Sequence, residues 1–329
     1  MKIITGGAGF IGSAICWRLN TLGIEDIIIV DSDMEGTKKE NLKPLEFKDY
    51  LDRDAFIKKI TSRSFEVKPD TIYHMGACSS TTEQDMEFLK KNNYEFSVHL
   101  AEWSLRDNIR FIYASSASTY GDGSLGFDDD IALIPKLQPL NKYGLSKQMF
   151  DLWVLDNKLD NKIVGIKYFN VFGPNENHKG EMRSMVNKTY SQILETGKLR
   201  LFKSYKSEYA DGEQKRDFIY VKDAVEMSIF FDATSQTGKA KNGIFNVGTG
   251  IACTWNRLAN AIFKAMDRPP NIVYVDMPDN IKNQYQYFTQ ANIDKLRKAG
   301  YNKPVMSIED SVRDYIVNYL SKDKYLGED

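Results

Sequence analysis

The sequence predicts an α/β fold: a doubly wound parallel sheet joined by a smaller, discontinuous α/β unit. Three observations predict it. The chain opens strand, glycine turn, helix, strand, acid, all by Asp31. Apolar strands and helical stretches then alternate to about residue 171, as in a parallel sheet with helices on both faces. Beyond that point the elements shorten, polar loops separate them, and the alternation stops.

Lys2 to Thr5 reads as the first strand, and Gly6-Gly7-Ala8-Gly9-Phe10-Ile11-Gly12 follows it directly. A helix over Ile11 to Leu22 ends at Gly23, and a strand over Asp26 to Val30 closes on Asp31. This is the layout of a dinucleotide-binding βαβ unit, the Rossmann arrangement. Gly6, Gly9 and Gly12 let backbone approach a pyrophosphate. Phe10 and Ile11 open a helix whose N-terminus offers N–H donors and a positive dipole end. Asp31 in this place reads a ribose 2′-hydroxyl and points to NAD. Lys38, Lys39 and Arg53 follow it, and two readings stand: they hold a 2′-phosphate, or they are solvated surface charges.

A polar connection leads to a strand over Asp70 to His74 that ends in Met75-Gly76-Ala77-Cys78-Ser79, small residues suited to passage beside a cofactor. His74 reads as a packed strand histidine. A long helical pattern covers Glu83 to Asp107 and includes Asn92. The strand Arg110 to Ala114 delivers Ser116 at its carboxyl end, the side where ligands bind. An irregular loop from Asp122 to Asn141, with Pro135 and Pro139, ends at a helix running from Tyr143 to about Leu159.

Tyr143 and Lys147 lie one turn apart on that helix, so a phenol and an ammonium share a face. A nearby cation favours the phenolate and lowers its pKa, which suits proton exchange with an alcohol. On its own the motif is weak, because the chain holds 18 tyrosines. The glycine turn and Ser116 give it context.

Lys162 to Phe169 is the next strand, ended by Asn170-Val171-Phe172-Gly173-Pro174. The remainder reads as a loop over Asn175 to Arg183, a helix over Met185 to Glu195, a strand over Leu199 to Phe202 and a polar excursion from Ser204 to Gln214. Arg216 to Asp223 leads into a helix through about Phe231, and Gly243 to Gly248 is a strand; these return to the first sheet. A helix over Thr254 to Met266, a strand over Ile272 to Val275 and helices over Gln290 to Lys298 and Ile308 to Leu320 complete the chain. The expected domains are 1–171 plus about 216–249, and about 172–215 plus 250–329. The second caps the carboxyl edge of the sheet and leaves a cleft.

Composition narrows the classes. Lys+Arg 44 against Asp+Glu 45 leaves no basic field for nucleic acid or an anionic membrane. No apolar run approaches the roughly 20 residues of a membrane span, and no signal peptide is expected from the opening residues. Cys16, Cys78 and Cys253 stand far apart, with no metal-ligand spacing. They suit a reducing compartment, so a cytoplasmic protein without metal is expected.

With the glycine turn, Asp31, Ser116 and the Tyr143/Lys147 pair in order, nearly the whole chain resembles an extended short-chain dehydrogenase/reductase. Five later stretches narrow the resemblance: Ala77-Cys78-Ser79-Ser80-Thr81-Thr82-Glu83, Tyr168-Phe169-Asn170-Val171-Phe172-Gly173-Pro174, His178-Lys179-Gly180, Lys215-Arg216-Asp217-Phe218 and Tyr285-Gln286-Tyr287-Phe288-Thr289-Gln290-Ala291. Together they are similar to the ADP-L-glycero-D-manno-heptose 6-epimerase family. The resemblance implies a nucleotide-sugar substrate, ADP-heptose, and a hydride that leaves C6 and returns to the opposite face. It implies tightly held NADP, with NAD possible, and a homo-oligomer, pentameric in the family. It makes Ser116, Tyr143, Lys147 and Lys179 catalytic, with Tyr143 and Lys179 as two acid/base groups; read without it, Lys179 is a surface lysine.

The resemblance also places the cofactor against Gly6, Gly9, Phe10, Ile11, Gly12, Asp31, Ser32, Lys38, Arg53, Met75, Gly76, Ala77, Cys78, Ser79, Asn92, Lys147, Val171 and Lys179. It places substrate against Ser116, Asn170, Glu181, Lys188, Phe202, Lys203, Ser204, Tyr205, Arg216 and Tyr285. Arg53 stands in place of a lysine, Glu181 in place of a small hydroxyl residue, and Lys188 in place of a histidine; the Ser204–Gln214 excursion is longer than usual. Rival readings are a UDP-hexose 4-epimerase-like enzyme and a non-catalytic NADP-sensing protein. A dehydratase would need an Asp-Glu pair where Ala117 and Ser118 stand.

Overall fold

The computed structural model describes residues 1–32, 36–236, 241–282 and 285–328. The first part of the chain forms β1 (Lys2–Thr5), α1 (Phe10–Thr21), β2 (Ile27–Asp31), β3 (Asp49–Asp52), α2 (Arg53–Thr61), β4 (Thr71–His74), α3 (Met86–Leu89), α4 (Phe96–Arg106), β5 (Arg110–Ser116), α5 (Lys142–Asp156) and β6 (Val164–Tyr168). Then come β7 (Asn170–Phe172), α6 (Met185–Thr196), β8 (Leu199–Phe202), β9 (Lys215–Arg216), β10 (Phe218–Tyr220), α7 (Val221–Gln236) and β11 (Gly243–Val247). The chain ends with β12 (Cys253–Thr254), α8 (Trp255–Ala265), β13 (Ile272–Val275), α9 (Asp279–Lys282), α10 (Asp294–Lys298) and α11 (Ile308–Asn318).

Seven strands form one parallel sheet in the order β11-β6-β5-β4-β1-β2-β3. Successive residues of a strand face opposite sides. Ile4, Ile29, Tyr73 and Ile112 enter one apolar cluster with α1 and α7, while Ile3, Ile28, Ile72 and Phe111 enter another with α2, α4 and α5. Both faces are therefore covered, which is why these strands are continuous apolar runs. From β1 the chain builds outward to β2 and β3, then returns beyond β1 to β4. The loops after β1 and β4 flank that reversal, the place where such sheets bind ligands.

Smaller pairings stand apart from this sheet: β10 with β7, β12 with β9, and β13 with β8. The return of the 216–249 stretch is thus split. β11 joins the main sheet beside β6, but β9 and β10 do not.

Three expectations are corrected. The polar connection after Asp31 contains β3 and α2. β3 (Asp-Tyr-Leu-Asp) is a four-residue edge strand with acids at both ends, so it carries no apolar alternation to read. The helix expected over Glu83 to Asp107 starts at Met86 and passes through a π-turn, Lys90–Glu95. The last-but-one helix starts at Asp294 and not at Gln290, because Thr289 and Ala291 are bonded to Asp217.

Candidate active site

The turn after β1 is shaped by backbone crowding. Gly6 has φ +64° and packs on Gly76, where a Cβ would come within 2.6 Å. That contact brings the loops after β1 and β4 together. Helix α1 begins at Gly9 with no side-chain cap and no acid in its first turn. Its N–H groups and dipole thus face the crevice unopposed, as a pyrophosphate requires. A cavity of about 480 Å³ opens there.

Of the residues expected at the cofactor, its walls hold Gly6, Gly9, Phe10, Ile11, Gly12, Asp31, Ser32, Lys38, Arg53, Met75, Gly76, Ala77, Cys78, Ser79, Asn92 and Lys179, and not Lys147. Val171 sits in β7 against the core and lines neither this cavity nor the next two. Asp31 accepts the Ala8 N–H at 3.0 Å and the Ser32 N–H at 2.8 Å, and pairs with Lys38 Nζ at 3.3 Å. Arg53 donates to Asn92 and to Asp54. This wall of the cavity therefore carries two cations, Lys38 paired with Asp31 and Arg53 with Asp54.

Helix α5 carries Tyr143 and Lys147. Asn141 caps it by accepting the Gly144 N–H at 2.7 Å. A Cβ on Gly144 would meet Ser118 O at 2.8 Å, so glycine lets the helix close onto the turn after Ser116. Lys147 is buried and donates from Nζ to Ala114 O at 2.9 Å. Burial pushes its ammonium down to about 8, with Asp151 acting against that. The expected lowering of the Tyr143 phenol by Lys147 is not what this geometry gives. Burial raises the phenol, and the hydrogen bond with Ser116 pulls it partly back. The ammonium is turned to Ala114 O, and Ser116 takes the part of local stabiliser.

Asn93 was not foreseen. It is buried; its Oδ1 accepts the Cys78 N–H at 2.8 Å, and its Nδ2 donates to Cys78 O and Ser146 Oγ, each at 2.9 Å. Ser146 Oγ then donates to Tyr143 O at 2.7 Å. Asn93 thereby ties the cofactor wall to the Tyr143 helix. The π-turn breaks the 3.6-residue period, so no periodic signal marks which side chain points inward. His74 is packed as expected: it sits between Thr5 Oγ1 at 2.6 Å and Ser97 Oγ at 2.8 Å, and burial pushes it down to about 3.

A second cavity, of about 740 Å³, adjoins the first, with Ser80 on one wall and Thr81 on the other. Ser116, Tyr143, Asn170, Arg216 and Tyr285 line it. Arg216 is 7% exposed and lies 5.1 Å from the Tyr285 ring centre and 6.0 Å from that of Trp255. It donates to Lys215 O and Gln286 O, and burial lowers its pKa. Among the described residues no carboxylate pairs with it. Tyr285 also borders a third, largely apolar cavity of about 500 Å³, with Lys188, Phe202 and Trp255.

Other predicted substrate residues lie off these walls. Lys203 pairs with Asp276 at 3.2 Å; the Ser204 N–H bonds Asp211 at 2.7 Å; the Tyr205 hydroxyl bonds Asp276 at 2.9 Å. Glu181 is exposed, and its carbonyl accepts from Lys188 Nζ at 3.1 Å. Lys179 lies in the first cavity, 5.3 Å from the Phe10 ring centre, and not in the cavity that Tyr143 lines. Burial lowers its pKa against the opposing charge of Glu176. Among the described residues, no cluster of His, Cys, Asp and Glu suits a metal, and no helix is long and apolar enough to cross a membrane.

A family model described as NAD dependent epimerase/dehydratase family matches residues 2–248. An ADP-L-glycero-D-manno-heptose-6-epimerase of Nitratidesulfovibrio vulgaris is 51% identical over 98% of both chains. One of Fusobacterium nucleatum is 45% identical over 99% of this chain and 100% of that one. Among solved structures, the Helicobacter pylori ADP-L-glycero-D-manno-heptose-6-epimerase aligns with a TM-score of 0.78 at 26% identity, over 96% of this chain and 95% of that one. The chain belongs to the NAD dependent epimerase/dehydratase family, among relatives named ADP-L-glycero-D-manno-heptose-6-epimerase.

Proposed function

We propose that the chain inverts C6 of ADP-heptose, interconverting ADP-D-glycero-D-manno-heptose and ADP-L-glycero-D-manno-heptose, within the supply of heptose for the lipopolysaccharide core. The observation that carries this is a buried cation without a carboxylate, Arg216, on the wall of the cavity that also holds Tyr143 and Ser116. A diphosphate suits the former and a sugar hydroxyl the latter.

The glycine cradle at Gly6, the uncapped α1 and the flanking walls fit a nicotinamide dinucleotide. Lys38 and Arg53, beside an Asp31 already engaged, support NADP over NAD. Bound there, the nicotinamide supplies a hydride acceptor that returns what it takes, so no net redox change results.

Tyr143 exchanges a proton with the C6 oxygen on one face, with Ser116 bonding that oxygen. Lys179 serves the other face. Lys147 bonds the ribose, and Ser116 steadies the phenolate. Arg216 holds the diphosphate, and the apolar cavity of Phe202 and Trp255 takes the base. The division into 1–171 plus about 216–249 and about 172–215 plus 250–329 assigns the cofactor to the first unit and most of the nucleotide sugar to the second. A cytoplasmic homo-oligomer, pentameric by resemblance, completes the reading.

The test is ADP-D-glycero-D-manno-heptose with purified, cofactor-loaded protein and nothing added, followed by NMR. Inversion at C6 is expected, without deuterium at C6 when the reaction runs in D₂O. An unchanged spectrum sinks the assignment, and deuterium on carbon excludes an internally returned hydride.

A further inference from the structure

Lys179 rides on the 173–184 segment between β7 and α6, and one side chain inside that segment holds it together. Glu176 is fully buried. Its Oε1 accepts Ser184 Oγ–H at 2.6 Å and the Gly173 N–H at 3.4 Å, and its Oε2 accepts the Ser184 N–H at 2.5 Å. Its backbone carbonyl accepts the Lys179 N–H at 3.0 Å. One residue thus grips the exit of β7, the start of α6 and Lys179 itself.

Helix capping alone does not require this. Ser184 already caps α6 by accepting the Asn187 N–H at 3.3 Å. A buried carboxylate is costly unless paired, and among the described residues no salt bridge reaches Glu176. The charge of Lys179 draws the Glu176 pKa down against burial, and that of Glu176 draws the Lys179 pKa up in return; the Tyr315 hydroxyl bonds Glu176 as well.

We propose that Glu176 is a positioning residue for Lys179, clipping both ends of the segment that presents the amine to the reacting carbon. The proposal rests on reading Lys179 as one of the two acid/base groups.

The experiment is a double-mutant cycle with Glu176→Gln, Lys179→Met and the pair. It reads kcat and KM for C6 inversion, bound nicotinamide and the thermal midpoint. Since misplacement of about 1 Å can cost on the order of 10²-fold, Glu176→Gln is expected to lower kcat roughly 30- to 100-fold. KM, cofactor content and midpoint should stay near parental values. In the Lys179→Met background the same change should cost less than about twofold, because interacting residues are not additive.

Losses that multiply in the pair, a near-parental kcat in Glu176→Gln, or a rate loss matched by lost cofactor overturn the proposal. Near-parental turnover in Lys179→Met removes the two-base reading itself, a separate outcome. Should Glu176→Gln not fold, Ser184→Ala, which deletes one donor to Glu176 together with the α6 cap, enters the same cycle. A loss of about 3- to 10-fold that disappears with Lys179→Met is then expected, and an additive loss overturns the clip.

Discussion

Replacing Arg216 with methionine should move binding and stability in opposite directions. On the binding side, the guanidinium lines the second cavity with no carboxylate partner among the described residues. Its two carbonyl bonds and two facing rings leave its charge uncancelled. Hydrogen bonds to charged groups contribute about 1.5–3 kcal/mol each. Losing a bidentate grip on a diphosphate should therefore cost about 3–4 kcal/mol, or roughly 10²- to 10³-fold in KM at about 1.4 kcal/mol per decade. Because a diphosphate does not react, ground state and transition state lose alike, so kcat should change by less than about threefold. On the stability side, cation–π contacts contribute about 0.5–2 kcal/mol each, against several kcal/mol to bury an ion. Methionine is apolar and flexible enough to sit between Tyr285 and Trp255. The substrate-free midpoint should hold or rise by a few degrees. Steady-state kinetics, ADP titration calorimetry and a thermal melt read the three quantities. An unchanged KM, or a midpoint fall of more than about 5 °C, refutes the reasoning and makes Arg216 a structural residue.

Three further outcomes follow from other charges. Lys167 and Asp151 are both fully buried and 2.5 Å apart. Lys167→Met should cost about 3–5 kcal/mol in denaturant unfolding, and adding Asp151→Leu should recover only part of it, because the buried Tyr113 and Ser115 hydroxyls lose their acceptor too; a single-variant loss under about 1 kcal/mol contradicts the pairing. Lys38→Ala with Arg53→Ala should weaken NADP binding by about 10²-fold or more and NAD binding by under about threefold, measured by fluorescence titration; equal losses place these cations elsewhere. Burial raises the Asp129 carboxyl to about 6, above its unfolded value. Its folded form binds the proton more tightly, so stability is present below the unfolded pKa and lost as pH rises through about 6. Asp129→Asn should then raise the unfolding free energy at pH 7.5 by about 2–3 kcal/mol at most, with a higher midpoint, and leave both unchanged near pH 3.5. A lower midpoint at pH 7.5 defeats that sign.

What could be read from sequence was local in the chain. The cofactor cradle needs only β1, its turn, α1 and β2, all within the opening residues, and each carries its own signal: glycines, an apolar run, a terminal acid. Ser116 and the Tyr143/Lys147 pair were legible for a related reason, since strand ends and helical spacing place them without tertiary knowledge. The Arg216 setting was not legible in that way. It is assembled from residues 216, 255 and 285, whose proximity exists only after β9 pairs with β12. Asn93 escaped because a π-turn shifts the inward face, and β3 because a polar edge strand lacks a buried side. The pH behaviour of Tyr143 was misjudged for a geometric reason: helical spacing puts Lys147 nearby, yet a carbonyl on β5 claims its ammonium.

Partnering separates the buried cations by role. Lys167 sits against Asp151 and Lys2 against Asp232, both pairs buried and absent from the cavity walls described above. Arg110 shares the field of the same Asp232 and donates to the Phe231 carbonyl. The Lys2 and Lys167 charges are neutralised within the fold, and their removal should be felt as lost stability. Lys147, Lys179 and Arg216 have no carboxylate salt bridge among the described residues. Burial lowers the pKa of all three. Groups of this kind cluster at functional sites. Lys179 and Arg216 stand on cavity walls, and Lys147 stands one turn behind Tyr143. Under the proposed function, Lys147, Lys179 and Arg216 serve the ribose hydroxyls, the reacting sugar and the diphosphate.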